Sequence, residues 1–190
     1  MGLDNSIADL QAFIPALLAE HEAGHAVMMS AFGWIVCEVS IASDAEMGFT
    51  KALIADAAPS LPDAVQRDLW ASTMISAAGM AAELIKAESQ RIIPPNATIV
   101  GTPSDNDKMF ASLSALGLDL TNGKQFAFAR AKAQSLLVRR YGFVEEIAGL
   151  LREHNTLDRG DIQHTLRRVP PITEDEWTSI KFTDLALLGL

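Results

Sequence analysis

Apolar positions recur along most of this chain at helical spacing, and one stretch breaks that rhythm. From near Ser6 to Phe32 the pattern predicts a long first helix. A bend is expected near Pro15, whose ring removes a backbone donor, and Gly33 is the expected C-terminal cap. WIVCEVSI (34–41) and MGFTKALI (47–54) then read as two strands around the turn-like SDAE, being rich in β-branched and aromatic residues. Ile35, Cys37, Val39 and Ile41 alternate with more polar neighbours, the period of a half-buried sheet.

From Ser60 the pattern is helical again, with Pro62 in the first turn, where its missing N–H would be unpaired anyway. The stretch VQRDLWASTMISAAGMAAELIKAESQ is long, and its small residues permit close helix packing. The prolines and glycine of IIPPNATIVGTPS forbid a continuous helix there. Ser104 or Asp105 is expected to cap the next helix, and Thr121 or Asn122 the one after it. Gly142 is expected to separate that helix from another ending near His154, and Asp158 to start a short one. Pro170-Pro171 sets off the tail 170–190, where Thr173 and Glu176 stand at capping-box spacing. The expectation is a mainly α fold with a small β-hairpin, organised as a single domain over 1–190.

Composition narrows the classes of function. With 190 residues, 49% hydrophobic and 21% charged, the chain reads as an ordinary folded protein. Lys+Arg 15 against Asp+Glu 24 gives a net charge of -9, which argues against a nucleic-acid backbone as the main partner. The lone cysteine, Cys37, rules out an internal disulfide and a cysteine-rich zinc site. It falls among apolar strand positions, which favours buried packing, and it suits a reducing compartment. No basic segment precedes an apolar one at the N-terminus, and no apolar run approaches the roughly 18 residues of a membrane span. The expected location is cytoplasmic.

The strongest chemical signal is His21-Glu22-Ala23-Gly24-His25, within the first predicted helix. Positions i and i+4 share a helix face, so His21 and His25 can offer imidazole nitrogens to one cation. Two neutral imidazoles suit Zn²⁺. Glu22, beside the first ligand, can reach a metal-bound water, accept its proton and later pass it to a leaving amine. Incidental histidines on an amphipathic helix are the plain alternative, but half of the chain's four histidines fall in this one pentapeptide. A catalytic zinc usually takes a third protein ligand and keeps one position open. Asp105, Asp107 and Glu83 are the candidates. An N-cap, a first-turn charge and a solvated helix carboxylate are their respective structural roles if they bind nothing. His154 and His164 lie near charged residues and are expected at the surface.

HEAGHAV resembles the active-site helix of the zinc peptidase domain of FtsH-type ATP-dependent membrane proteases. VSIASDAEMGFT resembles that family's following hairpin, with its V-x-I then L-G-Y-T pattern, and AAGMAAELI is similar to its G-G-R-A-A-E-E segment. GTPSDNDK stands where the family has G-A-S-N-D-L, and RRYGFVEEIAGLLREHNTLDRGDI resembles the late helices with their E-T-L-x-G-x-E-I signature. The resemblance covers about 17–166, in chain order. It implies a zincin-like helical peptidase domain with one Zn²⁺ per chain, held by His21, His25 and Asp105, with Glu22 as general base. Register from the leading glycine favours Asp105 over Asp107, and Glu83 matches a glutamate that would orient a ligand histidine.

The family's ATPase module and membrane-spanning segments have no counterpart here. The expectation is therefore a stand-alone zinc metalloendopeptidase acting on flexible peptides or unfolded polypeptides. The hairpin at Met47-Gly48-Phe49-Thr50 offers an edge along which an extended peptide could lie, or a sheet edge that only caps the core. A homo-oligomer and a separate ATPase partner are both compatible with the resemblance. A zinc-stabilised interaction protein with little or no turnover is the competing class, though a purely structural site has no need of Glu22.

Overall fold

The computed structural model describes residues 4–41, 48–53, 62–90, 103–118, 120 and 123–180, the side chains of 4–16 and 62–63 excepted. The SDAE turn, most of the proline-containing loop, Thr121, Asn122 and the end of the tail lie outside the described residues; the helix that Thr121 or Asn122 is expected to cap has Gly123 at its N-cap instead, with no side-chain cap. The architecture is mainly α with one small antiparallel sheet.

Helix α1 (Asp4–Ala31) carries the HEAGH segment. It ends as expected at Gly33, whose φ of +83° is a left-handed conformation that glycine adopts without strain. The Gly33 N–H donates to Ser30 O at 2.9 Å and the Trp34 N–H to Met29 O at 2.9 Å, which together form a Schellman cap.

Strands β1 (Ile35–Ile41) and β2 (Gly48–Leu53) pair antiparallel, with Val39 opposite Thr50 and Ile41 opposite Gly48. The register shifts between Val36 and Glu38, so Cys37 is an extra residue on β1. That bulge changes which side chains point inward. Val36, Val39 and Ile41 are buried, whereas Ile35 is exposed and Cys37 only half-buried. The regular alternation beginning at Ile35 therefore does not hold. A third strand, β3 (Thr156–Asp158), pairs with the other side of β1 and had no recognisable pattern in its three residues. The order β2-β1-β3 leaves β2 with one strand neighbour among the described residues.

Helix α2 (Pro62–Ser89) packs on α1 as its small residues predict. A Cβ on Gly24 would lie 2.7 Å from Ala78 O, so the two backbones meet at that glycine. Ala23, Val27, Met74 and Ala78 are fully buried there, in a core shared with β1 and the later helices. Those helices are α3 (Pro103–Ala115), α4 (Lys124–Val138), α5 (Tyr141–His154), α6 (Arg159–Leu166) and α7 (Glu174–Ile180).

The break between α4 and α5 falls at Arg139-Arg140, and Gly142 lies inside α5. A tertiary anchor sets that break. The buried Arg140 guanidinium donates to the carbonyls of Leu136, Pro170 and Pro171 and pairs with Glu176 at 2.8 Å. Asp158 caps α6, accepting from the N–H groups of Gly160 and Asp161. The predicted box at α7 is also present: Thr173 N–H donates to Glu176 Oε2 at 2.9 Å, and Glu176 N–H to Thr173 Oγ1 at 3.2 Å. Among the described residues no helix is long and apolar enough to cross a membrane.

Candidate metal centre

One turn of α1 puts His21 and His25 on the same face, and both are buried. Helix α3 begins at Pro103, so Ser104 and Asp105 belong to its first turn and neither is its cap. From that turn Asp105 reaches α1. His21 Nε2 and His25 Nε2 are 3.0 Å apart, and Asp105 Oδ2 lies 3.0 Å from the first and 3.3 Å from the second. Asp107, two positions on, is exposed on another side of the helix. Geometry thus brings together the two histidines and Asp105, and leaves Asp107 out.

Hydrogen bonds on the far side of each imidazole define what these three atoms offer. The carbonyl oxygen of Ile75 can only accept, so His25 Nδ1, at 2.8 Å, is the donor and Nε2 of a neutral ring keeps its lone pair. His21 Nδ1 lies 2.7 Å from Glu83 Oε1, and that carboxylate fixes the corresponding tautomer in His21. Glu83 therefore stands behind a histidine and not among the three converging atoms. Two nitrogen lone pairs and a carboxylate oxygen meeting at such distances repel one another unless a proton or a cation lies among them. A tetrahedral zinc with bonds of about 2.0–2.1 Å has donor–donor edges of about 3.3 Å, close to this triangle. Two imidazoles and one carboxylate suit zinc, and also the iron of two-histidine, one-carboxylate sites.

The metal-free electrostatics agree with that geometry. Burial alone would lower the His21 pKa, but its bonds to Asp105 and Glu83 and the charges of Glu83 and Glu22 outweigh burial and raise it to about 10. The carboxylates around His21 favour positive charge on its ring, and a cation held among the three atoms would take the place of that proton. Gly79 of α2 makes room for the ring: a Cβ at that position would lie 2.4 Å from His21 Nε2.

Glu22 is nearly buried, yet it lines an open cleft of about 980 Å³ together with His25 and Asp105. Its Oε2 accepts from Thr50 Oγ1 at 2.8 Å. Gly48 to Leu53, the whole of β2, borders the same cleft, and Met29, Trp34 and Ile75 give it apolar walls. Cys37 also faces this cleft, so the expectation of simple buried packing is corrected. His154 and His164 are exposed, as expected.

Three features escaped the sequence reading: the Thr50 hydroxyl on Glu22, the Ile75 carbonyl behind His25, and the fully buried Glu20 beside the site. Glu20 pairs with Lys86 at 3.2 Å and Arg152 at 3.3 Å, and accepts from Tyr141 at 3.3 Å, tying α1 to α2 and α5. Burial, then the nearby Glu20 and Glu145 charges, push the Tyr141 phenol pKa upward. None of these contacts has a signature at fixed sequence spacing. No family model and no curated protein matches this chain.

Proposed function

We propose that this chain is a zinc-dependent metalloendopeptidase, related to the peptidase domain of FtsH-type proteases. The observation that carries the proposal is the convergence of His21 Nε2, His25 Nε2 and Asp105 Oδ2 beside the Glu22 carboxylate, at an open cleft. These are the residues that the family resemblance assigns to zinc binding and general base. A purely structural metal site would have no use for a carboxylate facing the cleft beside its ligands, which favours catalysis over an interaction protein.

Held by these three residues, zinc would supply Lewis acidity toward a scissile carbonyl and an attacking water. Glu22 accepts the water's proton and returns it to the leaving amine. Glu83 and the Ile75 carbonyl keep each imidazole in the tautomer that directs Nε2 inward. The substrate lies extended along the side of β2 that has no strand neighbour among the described residues, its main chain adding to the sheet and its side chains meeting the apolar walls. That arrangement selects flexible or unfolded polypeptides, since most of a folded chain's backbone is already paired. Casein is a suitable test substrate. A chelator should abolish its cleavage and one equivalent of zinc per chain should restore it. Cleavage that survives complete metal removal would overturn the proposal.

A further inference from the structure

We infer that Thr50 is a positioning residue for Glu22, so that the strand bordering the cleft also sets the place of the general base. Its consequence for turnover rests on the peptidase reading above; the placement itself rests on geometry. Glu22 leaves α1 on a side chain with three rotatable bonds, and its position in a helix does not by itself fix where the carboxylate points. Two residues of β2 restrict it. Thr50 Oγ1 donates to Glu22 Oε2 at 2.8 Å. Gly48, on the same face of the strand, lies so close that a Cβ there would be 2.6 Å from Glu22 Oε1.

The single proton of the Thr50 hydroxyl has two acceptors within reach, the carboxylate at 2.8 Å and the Glu22 backbone carbonyl at 3.1 Å. The carboxylate is the nearer and carries the charge, so it is the stronger acceptor. Threonine is stiff at χ1, which keeps the hydroxyl aimed at its target. General-base transfer is sensitive to placement, since a misplacement of about 1 Å can slow a reaction roughly a hundredfold. A Thr50 that merely sealed β2 to α1 would contribute to stability and leave turnover unchanged.

The test compares Thr50→Val, which keeps the shape and loses the donor, with Thr50→Ser, which keeps the donor. Zinc content, kcat and KM on a casein-derived peptide, and crystal structures of the zinc-loaded proteins are the readouts. The expected result for Thr50→Val is a kcat lower by about tenfold or more, with KM within about twofold and zinc content unchanged. Thr50→Ser should recover most of the rate, and the Glu22 carboxylate should be displaced in the Val protein only. Parental kcat in Thr50→Val, or equal impairment in both variants, would overturn the inference. If the parent itself cleaves nothing, the peptidase reading fails and the crystal structures decide alone. A Glu22 carboxylate displaced in Val and not in Ser supports the positioning role; one unmoved in Val refutes it.

Discussion

Gly79 lies against the His21 imidazole so closely that a Cβ on it would come within 2.4 Å of Nε2. The ring cannot retreat, because Glu83 holds Nδ1 at 2.7 Å on its other side. Gly79→Ala should therefore move the ring off its place and weaken zinc binding by at least about tenfold, the scale of effects from groups that orient a ligand. A competition titration against a chromophoric chelator measures this. Unchanged affinity would mean that His21 has freedom the structure does not give it.

Asp105 and Asp107 share one helix and differ in what they face. Asp105→Ala removes one of three converging atoms and should abolish stoichiometric zinc binding, while Asp107→Ala should bind one zinc per chain like the parent. Metal analysis after gel filtration distinguishes them. The reverse pattern would put the third ligand at the wrong residue.

Far from the site, the buried pair Arg140–Glu176 joins the α4–α5 break to α7. The hydrogen bond from Arg140 holds the Glu176 carboxyl below its usual range, against the opposing effect of burial. A carboxylate with a lowered folded-state pKa stabilises the fold above its unfolded value, near pH 4.3, and loses that contribution as pH falls through the folded value. Glu176→Gln should thus lower stability at pH 7 and flatten its decline in acid. Arg140→Ala, which leaves the buried Glu176 carboxylate only the Thr173 N–H and Arg139 at 3.6 Å, should cost about 3 kcal/mol at neutral pH. Urea unfolding at several pH values checks both; parallel acid limbs for parent and Glu176→Gln would contradict the assignment.

Features decided by short-range spacing were legible in the sequence. The i, i+4 histidines share a face of α1, the Gly33 cap terminates that helix, and the Thr173–Glu176 box opens α7. Contacts between distant segments were not. Asp105 stands 84 positions from His21, and the residue types alone left it level with Asp107 and Glu83; only the family resemblance singled it out. Thr50 and the Ile75 carbonyl acquire roles through the approach of β2 and α2 to α1, which no local pattern encodes. The α4–α5 break falls at Arg139-Arg140 and not at Gly142, where the buried Arg140 guanidinium, and not a flexible glycine, ties the chain down. The Cys37 bulge likewise inverted an alternation that looked regular in sequence.

The peptidase proposal stands or falls on Glu22 acting as base at a zinc centre formed by its neighbours. Measuring bound zinc and casein cleavage side by side, for the parent and for Glu22→Gln, tests it most directly. Glu22 is not among the three converging atoms, so both proteins should hold one zinc per chain, and only the parent should cleave. Zinc in both with equal cleavage, or no zinc in either after it is supplied, would rule out that role for Glu22.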